Sequence, residues 1–343
     1  MAFPSKDGPN SYIWKLKDVY NARQGDNWPG LFERATFAGG AEPANSNVID
    51  YITISTTGNA TDFGDLTVSR NSLPSGESSS TTRGIFGAGY ITGTGNVNTI
   101  DYITFATTGN SLDFGDELNS IRGAAQLSSD TRGITGGGLD PGNPALVNGC
   151  LNVISYITIA STGNALDFGD MAVYIAQRAG FGNSTRGLFA GGYYIPGGPG
   201  DPRPAVNSMD YFTIATLGNS VDFGDITNST RLNAAFSNTT RGVISMGEGG
   251  KPAYTAYNNI DYVTIATTGN ATDFGDLIAN SGGGGGGADN NIRGVFAGAT
   301  DPGITNIMQY VTIDTTGNAT DFGDLTVARR GMASASSNKA SSA

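Results

Sequence analysis

The chain has 343 residues, 52 of them glycine, with 14% charged residues and a net charge of −11. It has no histidine and a single cysteine, Cys150, which excludes an intrachain disulfide, zinc sites of the usual Cys/His kind and every triad or general-base scheme that uses His. The acidity repels phosphate backbones, so no nucleic-acid partner is expected, and no run of 18 apolar residues is present for membrane insertion.

Residues 1–30 do not resemble the rest of the sequence. The opening MAFPSKDGPN lacks the charged and apolar blocks of a secretory leader. Both tryptophans, Trp14 and Trp28, lie in this segment, and so do Lys6, Lys15 and Lys17 in a chain poor in lysine. Ile13, Trp14, Leu16, Val19 and Tyr20 fit one side of a short helix, and residues 23–29 (RQGDNWP) read as a turn. Tryptophan and tyrosine beside basic groups are the residue types that anchor interfaces. The segment is therefore either an arm packed on the flank of the remaining chain or an anchor for another subunit. Its candidate contact residues are Trp14, Lys15, Lys17, Tyr20 and Trp28.

From residue 31 onward the dominant signal is repetition. DFGD begins at Asp62, Asp113, Asp167, Asp222, Asp273 and Asp321, at spacings of 51, 54, 55, 51 and 48 residues. A variant of YITIATTGN precedes each copy, and an arginine with an apolar, glycine-ended run stands earlier still: Arg34, Arg83, Arg132, Arg186, Arg241 and Arg293. Each copy divides into four expected strands. The first is small and polar (AAQLSS, NAAFSN), the second is of the RGVFAGG type, the third alternates β-branched and aromatic residues, and the fourth is DFGDL. Gly-Asn after the third strand reads as its tight turn. The run 282–287 occupies the slot of a first strand, with a flexible low-complexity loop as the other reading. A four-stranded unit cannot bury both faces alone, and radial stacking of such units gives a propeller.

Repetition starts at Arg34, directly in a second strand, whereas residues 331–338 (GMASASSN) look like a first strand with no second strand after it. The expected fold is thus all-β: a six-bladed β-propeller with four-stranded blades over 31–343, whose ring is closed by a C-terminal strand that completes the first blade, plus a short non-repeat arm over 1–30.

The order small strand, Gly-Gly strand, aromatic strand, then aromatic-X-X-Leu resembles the kelch repeat, with the DFGD phenylalanines where kelch blades carry Trp. The arm followed by TRG…IDYITIATTGNATDFGDLT repeats is, in turn, similar to virion structural proteins of marine tailed phages, including cyanophages, described as tail-fibre or tail-associated. That resemblance implies a structural component of a tailed-phage virion, assembled in the host cytoplasm. The arm would dock on other virion structural proteins, and the propeller would contact neighbours or a host-surface glycan or receptor. A capsid decoration protein and a lectin-like glycan-binding propeller are the alternatives.

Remaining signals favour no enzyme, cofactor or metal. DFG occurs six times with no HRD-type loop or VAIK strand, which removes a kinase reading. The phenylalanines are expected to fill gaps between blades, and the flanking carboxylates to accept turn N–H groups or to pair with the repeat arginines. Calcium would need several convergent oxygens, and DFGD holds its two carboxylates apart around Phe and Gly. Cys150 has no His partner, and Glu33, Glu77, Glu117 and Glu248 stand in no recognisable catalytic context. Loops between third and fourth strands are nearly invariant, whereas those between second and third strands vary, the longest being 139–152 and 193–207. Variable loops on a rigid scaffold suit recognition, which makes Tyr193 and Tyr194 further candidate contact residues; drift in unconstrained loops is the other reading.

Overall fold

The computed structural model describes residues 33–337 except 42, 144–148, 196–202, 282 and 301–302. Among these residues there are 24 strands and no helix, so the fold is all-β and propeller-like. The fifth repeat shows the common pattern: Ala234–Ser237, Arg241–Ser245, Tyr257–Thr264 and Thr272–Ser281 pair antiparallel in chain order. In the first repeat the innermost place is taken from the far end of the sequence. Ala333–Ser336 pairs antiparallel with Arg34–Ala38, with Phe37 opposite Ser334.

Two repeats depart from expectation. In the second, Arg83–Ile91, Gly95–Thr104 and Leu112–Ile121 form a three-stranded sheet. Its first strand shrinks to Ser75–Gly76 and pairs parallel with Ala125 of the third repeat and Ala179–Gly180 of the fourth, merging those two units into one nine-stranded sheet. The local sequence LPSG explains this. Pro74 has no N–H for a ladder, and Gly76 (φ +112°) lies so close to two neighbouring first strands that a Cβ would stand 2.0 Å from Gln126 O and 2.3 Å from Gly180 O. In the sixth repeat the first strand is Gly286–Asp289, so only the end of the glycine run enters the sheet.

The core lies between repeats. Phe223, for example, packs with Leu188 and Met209 of its own unit and with Ile244 and Ile265 of the next. Phe322 of the last repeat packs with Ile52 and Ile54 of the first. All six DFGD phenylalanines are buried, and each meets the tyrosine of its own third strand edge to face, as Tyr51 and Phe63 do at 5.9 Å and 80°.

The Gly-Asn pair has a role beyond a turn. The reversal itself is made by the preceding residues, as in Thr56 N to Thr53 O, and Gly-Asn then docks on the previous repeat's DFGD strand. Gly109 N donates to Phe63 O, and Asn110 Oδ1 accepts from Asp65 N at 3.1 Å. The same pair of bonds joins every consecutive pair of repeats, and the sixth to the first through Gly58 N to Phe322 O and Asp324 N to Asn59 Oδ1. The DFGD glycine permits this approach, because a Cβ on Gly64 would lie 2.4 Å from the Gly109 carbonyl. Asn110→Ala is expected to lower stability by about 1 kcal/mol, the net worth of one such bond, as read by chemical denaturation.

The repeat arginines do not pair with DFGD carboxylates among the described residues. Each lies over its own repeat's tyrosine, as Arg83 does over Tyr102 at 4.8 Å. Each also donates to a carbonyl at the end of the next repeat's third strand, as Arg83 does to Ile159 O. A carbonyl is the available acceptor there, since the DFGD aspartates lie on the outermost strand.

Candidate functional site

The loops that enter the first strands meet in one place, where a cycle of six backbone hydrogen bonds runs from repeat to repeat. Gly123 N donates to Ser72 O, Gln177 N to Gly123 O, Leu232 N to Gln177 O, Gly284 N to Leu232 O, Gly331 N to Gly284 O and Leu73 N to Gly331 O. A positive φ at this step aims the backbone for the cycle, and it is found at Ser72, Gly123, Gln177, Leu232, Gly284 and Gly331. Glycine takes that conformation freely, whereas Ser72 (51°), Gln177 (57°) and Leu232 (60°) hold it against steric cost.

Around this cycle lies a cleft of about 300 Å³. Ala41 and Glu248, from second-to-third-strand loops, line it together with the fourth-to-first-strand loops, so both loop classes share one face. Arg231 organises its wall. It donates to Gln177 Oε1 at 3.0 Å and to Glu248 Oε1 at 2.5 Å, and its guanidinium lies over the rings of Tyr193 (5.3 Å) and Tyr254 (5.0 Å). Burial pushes the Glu248 carboxyl upward, opposed by Arg231 and Arg330.

The candidate contact residues separate accordingly. Trp14, Lys15, Lys17, Tyr20 and Trp28 lie outside the described residues. Tyr194 is 41% exposed, as a contact residue needs to be, but Tyr193 is only 1% exposed. It sits between Arg203 and Arg231 and pairs with Ala176 and Ala205 by backbone bridges, so it braces the loop from within rather than presenting a surface. Sequence reasoning missed Gln177, Arg231 and Arg330, because they fall in fourth-to-first-strand loops that align poorly between repeats. The Arg-Leu and Arg-Gly dipeptides at 231 and 330 were the available signal.

The acids are each engaged. Glu33 accepts from Asn290, and Glu77, buried among the first strands, accepts from Asp289 N. Glu117 occupies the place of Leu66 in the first repeat and accepts from Thr135 and from Ser155, which stands where four of the other five repeats carry an aspartate. Burial pushes the Glu117 carboxyl upward, against those two hydrogen bonds. A carboxyl whose folded pKa is raised costs nothing below its unfolded pKa and destabilises increasingly as pH rises above it. Glu117→Gln is therefore expected to raise the melting temperature at pH 8 and to leave it nearly unchanged at pH 4. Burial also pushes the Cys150 thiol up to about 11, which keeps it unreactive. Among the described residues no group of three or more His, Cys, Asp and Glu side chains is disposed to hold a metal.

No protein-family model and no curated protein matches the chain. The class that its own geometry defines is an all-β, propeller-like repeat protein with a small cleft of mixed polar and apolar lining where its repeats converge.

Proposed function

We propose that the six repeats close into a six-bladed, kelch-like propeller, and that the protein is a structural component of a tailed-phage virion, tail- or fibre-associated. In this reading residues 1–30 dock on other virion proteins, and the propeller faces neighbours or the host surface. Closure is supported by cyclic continuity: each kind of contact that links consecutive repeats also links the sixth to the first. The virion reading is carried by the sequence itself, in which an aromatic, lysine-bearing segment precedes TRG…IDYITIATTGNATDFGDLT repeats. The buried or paired state of the glutamates suits a scaffold rather than an enzyme.

Deleting residues 1–30 tests the virion reading. The expected product melts as the full chain does but is absent from purified particles by mass spectrometry. Normal incorporation would overturn the docking role of the segment, and absence of the full chain from particles would overturn the virion reading. The cleft favours a second reading, a lectin-like propeller, which a glycan array on the isolated protein addresses.

A further inference from the structure

We propose that the cleft around the backbone cycle is a binding site for a single carboxylated sugar ring, a uronate, with Arg330 as the anchor of its carboxylate. The first argument is charge. The protein carries −11 overall, yet the cleft is lined by Arg231, Arg330 and one acid, Glu248. Glu248 is held by Arg231. Arg330 is exposed and has no salt-bridge or hydrogen-bond partner for its guanidinium among the described residues. A free guanidinium at the edge of a concave site is a fork for a carboxylate.

The second argument is the direction of the amide. Gln177 Oε1 accepts from Arg231, which leaves its Nε2 as a donor on the cleft wall. The Gln177 side chain is also held at a backbone conformation that glycine would relieve, and the same is true of Ser72 and Leu232. Three other repeats use glycine at this step. Side chains held where their backbone is strained point to a role beyond stability.

The third argument is shape. The volume, about 300 Å³, lies at the lower end of the range for ligand sites, about 300–1,000 Å³, and suits one ring rather than an extended chain. Behind it, the hydrogen-bonded cycle and the packed first strands around Gly76 form a floor. Leu232 adds apolar surface beside the polar groups, with the buried Leu73 and Met332 behind it. A pyranose needs that combination, with donors at one edge and C–H faces on apolar side chains, whereas a bare anion needs only the charge.

The inference extends the glycan-binding reading and is independent of residues 1–30. A failed titration leaves the virion reading standing, and normal incorporation without the segment leaves the cleft standing. The test is calorimetric titration of the full chain with D-glucuronate, D-galacturonate, D-glucose and acetate, repeated on Arg330→Ala and Arg330→Lys. The expected result is that a uronate binds at least ten-fold tighter than glucose and acetate. Arg330→Ala should remove that preference at an unchanged melting temperature, and Arg330→Lys should restore it in part. Equal binding of uronates and glucose, acetate binding as tightly as a uronate, or an unaltered preference in Arg330→Ala would each overturn the assignment. So would tighter binding of a short acidic peptide than of either uronate.

Discussion

Deletion of residues 331–343 is expected to abolish the cooperative thermal transition and to shift the protein toward aggregates in gel filtration. Ala333–Ser336 supplies the innermost strand of the first repeat, with four residue pairs to the strand Arg34–Ala38. Ser337 closes the end of that ladder in both directions, its hydroxyl accepting from Arg34 N and its own N–H donating to Arg34 O. Loss of the segment would bare the edge of a buried strand, a ready template for pairing with other chains. It would also remove Ser334, whose hydroxyl contacts Gly76 O and Gly287 O where the first strands crowd together, and Gly331 from the backbone cycle. Differential scanning calorimetry with light scattering reads the outcome. A truncated protein with an unchanged single transition would show that the strand is dispensable.

This pairing was legible because it is a matter of counting: a repeat that opens in its second strand and another that ends in its first strand imply each other. The buried phenylalanines were legible too, as the apolar residue at the same place in each of six DFGD copies. What escaped sequence reading depends on contacts between repeats. The Gly-Asn pair looks like turn chemistry in isolation, and its docking on the preceding DFGD strand is visible only once two units are side by side. The second repeat's shortened first strand was masked by the length of the repeat, which is normal; the cause is one Pro and one Gly in LPSG. Tyr193 read as a loop aromatic and is a buried brace, because two arginines, Arg203 from the same loop and Arg231 from another, close over it.

The buried arginines were the largest omission. Arg70, Arg178 and Arg329 are among the largest fully buried side chains, yet only Arg70 and Arg329 share a repeat position, eight residues past the start of DFGD; Arg178 reaches the same place from eleven residues past. Each crosses to the next repeat's third-strand aspartate: Asp101 at 3.0 Å, Asp210 at 2.5 Å and Asp50 at 2.9 Å. Each also donates to a second-strand carbonyl, Phe86 O, Phe189 O or Phe37 O. Charge pairs of this kind join neighbouring repeats through groups that no strand pattern reveals.

Arg329→Met is accordingly expected to cost about 3–5 kcal/mol, the usual penalty for removing one partner of a buried pair. The substitution keeps apolar bulk but removes the arginine's bonds to three acceptors: Asp50 Oδ2, Phe37 O and Val48 O. Thr326 would still donate to Asp50 from its N–H and hydroxyl, so the carboxylate would not be bare. The chain contains a natural counterpart in its fifth repeat. There Asp261 receives Thr227 N at 2.7 Å and Thr227 Oγ1 at 2.9 Å, without an arginine among its hydrogen-bond partners. Burial pushes its carboxyl upward despite those bonds. Asp50 in the variant should behave likewise, with a raised folded pKa, so the deficit should grow as pH rises from 4 to 8. Removing the charge should return much of the loss. The sixth repeat already carries the neutral Gln309 at this position, accepting from Ile278 N at 2.8 Å, and Arg329→Met with Asp50→Asn is expected to be more stable than Arg329→Met alone. Urea denaturation of the wild type, the single variant and the double variant at both pH values reads the comparison. A double variant no more stable than Arg329→Met at pH 8 would mean that the lost bonds to the carbonyls, rather than the unpaired carboxylate, carry the cost.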